Sequence, residues 1–448
     1  MELLVALAVM ILTGILLRKR FEIRTVMFGA GILLMFAAIL MGHPILPEDR
    51  STGFAFFDVF RAISQAFTNQ VGGAGFIIML LFGYTAYMKE IGADVMTVRM
   101  LSLPLTYLKF KSLLVPVFFL IGNLLCIVIP SASSLSVMLM STAYPILVGA
   151  GVSPMAVGAV IAMSAMIAPT PLGIDNILAS EALGMGLNEY TFQYHALVSI
   201  PVTLVLAAVH YFWQRWCDKR ETDAPAAKVV AYAHKSQEAP KLYAILPMLP
   251  LLLMIGAFAG GLDQIAIGEV TLFSLFLAII CEGFRRRTFA KTGKQAEAFF
   301  KGMGSGFATV VVQVVAALTF VEGLRALGVI DTLSSYISGM EGAGLLTVLT
   351  FTLFVLIVGT ISGSGLALFF AFVDLVPAFA AAAGIAPVML MIPMQFTAHF
   401  VKSLSPLAPA IVITASMMGV APMKLIKRTS VPSAVGIVLS IILSYFLF

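Results

Sequence analysis

Charge is what this 448-residue sequence is short of. Asp, Glu, Lys and Arg together make up 11% of it, against about a quarter in soluble globular proteins, which excludes an ordinary soluble domain. Cysteine is scarce too: Cys126, Cys217 and Cys281 show no metal-ligand spacing and require no disulfide, so no metal site is expected. No GxxxxGK[ST], HExxH or GxSxG occurs. ATP-driven transport, zinc-peptidase chemistry and serine-hydrolase chemistry therefore find no support, and no cofactor is implied. The net charge of +5 is explained by membrane topology below and does not point to nucleic acid.

What is present is apolar surface. The composition is 60% hydrophobic and the mean hydropathy is +1.03. Apolar runs long enough to cross ~30 Å of hydrocarbon recur from end to end. They are continuous rather than alternating, which excludes a β-barrel and predicts an all-α integral membrane protein lying in the bilayer. Spans are expected at 2–18, 23–42, 72–91, 154–190 (interrupted), 193–215, 242–260, 265–284, 303–328, 387–419 (interrupted) and 430–447. The first run lacks a basic n-region and a small-residue cleavage site, so it reads as an uncleaved span. Stretches 112–150 and 343–384 each hold two apolar arms about a small-residue centre. Of the 27 Lys and Arg residues, all but Arg50, Arg61, Arg325 and Lys402 fall on one side of this layout. By the positive-inside rule that side is cytoplasmic, and both termini are expected outside, in the periplasm.

The polar stretch 217–241 is the one obvious linker, dividing a first unit (1–216) from a second (242–448). The units echo each other. Ser131-x-Ser133 in "CIVIPSASSLSVML" (Cys126 to Leu139) matches Ser362-x-Ser364 in "VGTISGSGLALFF" (Val358 to Phe370). "GGAGF" (Gly72 to Phe76) matches "MGSGF" (Met303 to Phe307), and Pro145 and Pro154 match Pro377 and Pro387. Five crossings per unit is an odd number, so the units are expected to be inverted repeats, as in many secondary transporters. Stretches 112–150 and 343–384 are then expected to be re-entrant helical hairpins. Backbone freed at such turns must be satisfied by protein or a wet cavity.

Two segments carry the chemistry. "APTPLGIDN" (Ala168 to Asn176) breaks the first interrupted helix at Pro169 and Pro171 and offers Thr170, Asp175 and Asn176; the last two could equally cap the following helix. "FTAHFVKSLSPLAP" (Phe396 to Pro409) places Lys402 near the middle of 387–419. A cation there costs about 2.5–3.5 kcal/mol on insertion scales and usually faces a bundle interior or cavity. It is expected either to pair with an anionic substrate, with Ser403 and Ser405 as added donors, or to form a fixed ion pair with Asp374. His399, one turn earlier on the same face, is a candidate proton carrier, and Asp374 the best acidic candidate for coupling; Asp175 and Asn176 are further ones. His195 and His210 read as interfacial. The expected substrate site is Ser131, Ser133, Ser134, Thr170, Ser362, Gly363, Ser364, Lys402, Ser403 and Ser405. Half-helix N-termini at the two tips favour carboxylates, so a small acid with two of them fits.

The segment "IPSASSLSVMLMSTAYPILVGAGVSPMAVGAVIAMSAMIAPTPLG" (Ile129 to Gly173) resembles the anaerobic C4-dicarboxylate carriers of the DcuC type, within the ion-transporter superfamily. The resemblance implies a bacterial inner-membrane carrier of succinate, fumarate, malate and aspartate, working by exchange or proton-linked succinate export. It also implies a homodimer whose hairpins and broken helices slide as an elevator against a fixed scaffold. One departure bears on coupling. Sodium-coupled relatives carry Ser-Asn-Thr at both tips, whereas here the tips read Ser131-Ala132-Ser133-Ser134 and Ser362-Gly363-Ser364. The missing amides, with Lys402 able to stand in for a bound cation, favour a sodium-independent carrier. The alternatives are a sodium-coupled dicarboxylate symporter, a carrier of a short-chain fatty acid or lactate, and an intramembrane enzyme using His399 and Asp374.

Overall fold

A helix satisfies its own backbone N–H and C=O groups within one segment, which is what lipid demands. The computed structural model describes residues 2–19, 21–107, 113–129, 131–220, 239–262, 264–287, 289–340 and 342–448; these are helical almost throughout and contain no strand. Most of the expected linker (221–238), and the basic residues Arg20, Lys109 and Lys111, lie outside them.

The first half opens with α1 (Glu2–Arg18), α2 (Ile23–Leu40) and the pair α3 (Ala55–Gly72) and α4 (Ala74–Glu90), bent by 53°. Next come α5 (Ala93–Tyr107) and the first hairpin, α6 (Leu114–Val128) and α7 (Ala132–Gly149). The first broken helix is α8 (Pro154–Ala162) and α9 (Ile174–Leu183). A short α10 (Leu187–Glu189) runs through a π turn, Tyr190–His195, into α11 (Ala196–Arg220). The second half holds α12 (Leu249–Ala259), α13 (Ile267–Arg286), α14 (Phe289–Gly306), α15 (Val312–Ala326) and α16 (Val329–Ser338). Its hairpin is α17 (Ala343–Ser362) with α18 (Gly365–Phe372) and α19 (Val376–Ala382). Its broken helix is α20 (Pro387–Leu404) and α21 (Pro409–Met418), before α22 (Pro422–Leu447).

Ten of these helices or continuous helical runs are long and apolar enough to cross a membrane, among the described residues. They include the arms Ala132–Gly149, Ala343–Ser362 and Gly365–Ala382. Helices α3, α5, α14 and α16 were not among the expected spans. The apolar residues of α3, α14 and α16 form a stripe rather than a run, so a search for continuous hydrophobic stretches passes over them.

Local signals recur in both halves. Pro154 and Pro387 occupy first-turn positions of α8 and α20, where a missing N–H costs nothing. Gly184 and Gly419 cap α9 and α21 in the left-handed conformation. Ser131 and Ser364 cap α7 and α18 through their side chains.

The elements pack as two interleaved sets. In one, α2 lies along α15 and α4 along α14. A Cβ on Gly31 would fall 2.7 Å from Phe320 N, so glycine is what lets α2 and α15 approach this closely. In the other set, α20 is enclosed by α17, α18 and α22. The hairpins cross over between halves: α7 packs on α21, and α18 on α9. Arg428, buried in α22, reaches Asp218 on α11 at 2.6 Å and joins the last helices of the two halves. Large apolar side chains such as Leu4, Phe212, Phe276 and Leu353 remain on the outside, facing where lipid would be.

Candidate functional site

Residues 163–173 between α8 and α9 are irregular yet buried almost throughout, so their backbone groups need partners. Asn123 on α6 supplies them. Its Nδ2 donates to Met163 O (3.3 Å) and Phe119 O (3.0 Å), and its Oδ1 accepts from Met166 N (3.3 Å). Further along, Thr170 Oγ1 accepts from Leu172 N (3.1 Å), and Thr170 O accepts from Asn176 Nδ2 (2.8 Å). The break is a held loop that sets the start of α9, and with it Asp175.

Helix α20 presents Gln395, His399 and Lys402 at intervals of four and three residues, which is one face. Lys402 Nζ lies 2.9 Å from His399 Nδ1 and donates to Ala165 O at 3.4 Å, inside the first break. His399 Nε2 lies 2.8 Å from Asp175 Oδ2. With Lys402 an ammonium, Nδ1 accepts and Nε2 carries the proton donated to Asp175. Gln395 Nε2 donates to Asp175 Oδ2 (2.5 Å) and Asn176 Oδ1 (2.6 Å), and its Oε1 accepts from Tyr190 OH (2.5 Å). One polar chain therefore joins the two broken helices: Lys402, His399, Asp175, Gln395, then Tyr190 and Asn176.

The surroundings are dry. Gln395 is fully buried, and Asn176, His399 and Asp175 nearly so. His195, expected at an interface, is buried with both ring nitrogens unpartnered among the described residues. Its ring packs edge-on against Phe396 of α20 at 4.8 Å and lies within electrostatic reach of Asp175 and His399. His210 is likewise buried, against Phe119. Both lie inside the bundle rather than at an interface, His210 because α11 is covered by α6 and α22, and His195 because its turn packs against Phe396 of α20.

The other sequence-expected residues separate into groups. Asp374 is not beside Lys402: it lines a different cavity with Arg50, Glu322 and Arg325. Among the described residues Lys402 has no carboxylate at ion-pair distance. Ser403 turns away from the site, its hydroxyl on Phe400 O and Ser433 Oγ at 2.8 Å each. Ser405 donates to Thr360 O (2.7 Å), pinning the second break to the second hairpin. At that hairpin's tip Ser362 Oγ accepts from Ser364 N (3.4 Å), and Gly363 has φ +83° and sits against Leu407. At the other tip Ser131 is exposed and caps α7 by accepting from Ser134 N (3.3 Å), with Ser133 half-buried beside it. Sequence reasoning missed Gln395, Tyr190 and Asn123. The signal for Gln395 was its register: seven residues before Lys402 and four before His399 on one helical face.

Comparison with known proteins agrees with this architecture. A family model described as "DcuC: C4-dicarboxylate anaerobic carrier" matches residues 1–448. The chain is 32% identical over 442 residues to the anaerobic C4-dicarboxylate transporter DcuC of Escherichia coli, covering 98% of this chain and 95% of that one. It is 34% identical over 451 residues to a probable DcuC of Vibrio cholerae, covering 99% and 97%. Among solved structures, MtrF of Neisseria gonorrhoeae aligns with TM-score 0.66 at 14% identity over 96% of both chains. The YdaH transporter of Alcanivorax borkumensis aligns with TM-score 0.66 at 16% identity, over 95% of this chain and 98% of its own; at such identity both support the fold alone. Matched along its whole length, the chain belongs to the DcuC family of C4-dicarboxylate anaerobic carriers, multi-pass membrane transporters and not enzymes.

Proposed function

We propose that this protein is a secondary carrier of C4-dicarboxylates such as succinate, fumarate, malate and aspartate, and that Lys402 is the cation that meets the substrate. The kinship with DcuC carriers supports the substrate class. The observation that carries the site is that Lys402, deep in an apolar bundle, rests on an imidazole and a carbonyl and on no carboxylate. A cation left without an anion inside a membrane protein is an anion site awaiting its ligand. The N-termini of α7 and α18 at the two tips add partly positive ends.

The geometry gives a route to coupling. A substrate carboxylate draws the Lys402 ammonium off His399 Nδ1. The freed nitrogen then takes a proton, and the imidazolium is held by Asp175 at the other ring nitrogen. Substrate and proton each favour binding of the other, as linkage requires. The reading is a sodium-independent exchanger or proton-linked succinate exporter in the bacterial inner membrane, with both termini periplasmic. It works as a homodimeric elevator in which the two hairpins and the two broken helices move against a scaffold.

The test is labelled succinate uptake into proteoliposomes preloaded with succinate, fumarate or buffer, in sodium-free medium. Uptake that requires internal dicarboxylate, or that follows an imposed pH gradient, supports the reading. A strict requirement for sodium, or competition by acetate and lactate rather than by succinate, would sink it.

A further inference from the structure

The positive-inside rule explains why cations cluster on one face, but not why any remain on the other. Arg50, Arg61 and Arg325 are the ones left there. Arg61 is occupied with Ser51 O at 3.2 Å. Arg50 and Arg325 come together, from the loop after α2 and from the end of α15, at one cavity of about 260 Å³. Asp374, between α18 and α19, lines the same cavity, and Glu322 and Thr319 of α15 with Asn69 and Gln65 of α3 complete the polar lining. The cavity lies between the two packed sets, and it is smaller than the ~300–1,000 Å³ of typical drug-sized pockets. It suits a ligand of a few carbons.

Glu322 and Asp374 match the two guanidiniums in number, but the pairing is loose. Arg325 bonds Glu322 at 3.0 Å, but that pair is 59% and 28% exposed, and exposed pairs of this kind are weak, so a ligand carboxylate can redirect the guanidinium. The Arg50 guanidinium makes no hydrogen bond among the described residues, nor does the Asp374 carboxylate, which lies within electrostatic reach of both Glu181 and Arg325. Two guanidiniums with two carboxylates beside them offer partners to both the carboxylates and the ammonium of an amino diacid.

We propose that this cavity is a second binding site, separate from Lys402, that captures acidic substrates on the face opposite the basic loops and prefers diacids bearing an α-amino group. Arg50 and Arg325 take the carboxylates and Asp374 the ammonium. The site deepens the dicarboxylate reading given above, and its substrate class rests on that reading.

The test separates the two. Equilibrium binding of labelled aspartate and succinate is measured on purified Lys402→Met protein, alone and combined with Arg50→Gln, Arg325→Gln or Asp374→Asn; monodispersity and helix content check the fold. Saturable aspartate binding should survive Lys402→Met and weaken about tenfold or more with either arginine substitution. Asp374→Asn should remove the preference for aspartate over succinate. Binding abolished by Lys402→Met alone, or untouched by both arginine substitutions, would overturn the second site. An unchanged aspartate-to-succinate ratio in Asp374→Asn would overturn the amino-group preference. Because this is a binding assay, absence of succinate transport by the unsubstituted protein would defeat the carrier reading while leaving the cavity open to its own test.

Discussion

Replacing Lys402 by methionine separates a substrate cation from a structural one, because the two roles differ in what is left behind. Methionine keeps the length and apolar stem of the side chain. It removes a charge whose placement in the membrane core costs about 2.5–3.5 kcal/mol on insertion scales. The groups it abandons are neutral acceptors, His399 Nδ1 and Ala165 O, each costing ~1–3 kcal/mol if left dry and unpaired. These terms oppose and nearly cancel, so the folded protein should melt within a few degrees of the unsubstituted one. A member of a buried ion pair would behave differently, since its removal strands the partner at a cost of about 3–5 kcal/mol. Affinity should respond in the opposite sense. Truncating one side of a buried, hydrogen-bonded charge pair costs ~2–5 kcal/mol, and each ~1.4 kcal/mol is tenfold, so succinate binding should weaken by about 30-fold to 3,000-fold. The assay is thermal unfolding in detergent beside succinate exchange in proteoliposomes. A large fall in melting temperature with exchange preserved in the surviving fraction would refute the reasoning and make Lys402 structural.

Three further substitutions probe the neighbouring links. Asp175→Asn keeps the shape that Gln395 contacts but strips His399 Nε2 of its charged acceptor at 2.8 Å; proton-driven uptake should fall more than succinate–succinate exchange, measured side by side. Asn123→Leu leaves Met163 O and Met166 N without their partner, so thermal unfolding should register a loss of ~1–3 kcal/mol for each orphaned group. Ser403→Ala should leave the KM for succinate unchanged, because its hydroxyl is spent on Phe400 O and Ser433; a KM raised severalfold would return Ser403 to the substrate site.

The membrane class, most of the spans, the hairpin centres and both helix breaks were legible because each rests on a local cause. Hydrophobic runs mark spans, Pro154 and Pro387 mark helix starts, and Gly184 and Gly419 mark helix ends. Lys402, His399, Asp175 and Asn176 stood out because polar groups are rare in such runs. Their pairing was not legible. Asp374 looked the better partner for Lys402 because it is nearer in sequence, but the halves interlock, and Asp175, 227 residues away by numbering, comes within one imidazole of it. Gln395 and Tyr190 were invisible for a related reason. An uncharged amide or phenol in an apolar helix raises no alarm until the fold shows what it touches.

The two broken helices are unequal, and the inequality decides which part of the site is rigid. Residues 163–173 leave helical geometry altogether, whereas in the second half α20 runs unbroken to Leu404 and only 405–408 interrupt it. Lys402 therefore sits just before the break, on the last regular turn of a helix enclosed by α17, α18 and α22. Its two partners differ in kind. His399 shares its helix and must move with it; Ala165 O belongs to the loop held by Asn123. A substrate carboxylate that replaces both contacts need not bend α20, since only the side chain and the loop have to yield. A site on a regular helix keeps its geometry better than one on a loop, so the cation is the fixed reference and the first break is the element that adapts. That division predicts where substrate-dependent change should concentrate: amide exchange of residues 163–173, which lose the Lys402 tether at Ala165 O, should quicken when succinate is added, while that of 395–402 should not change.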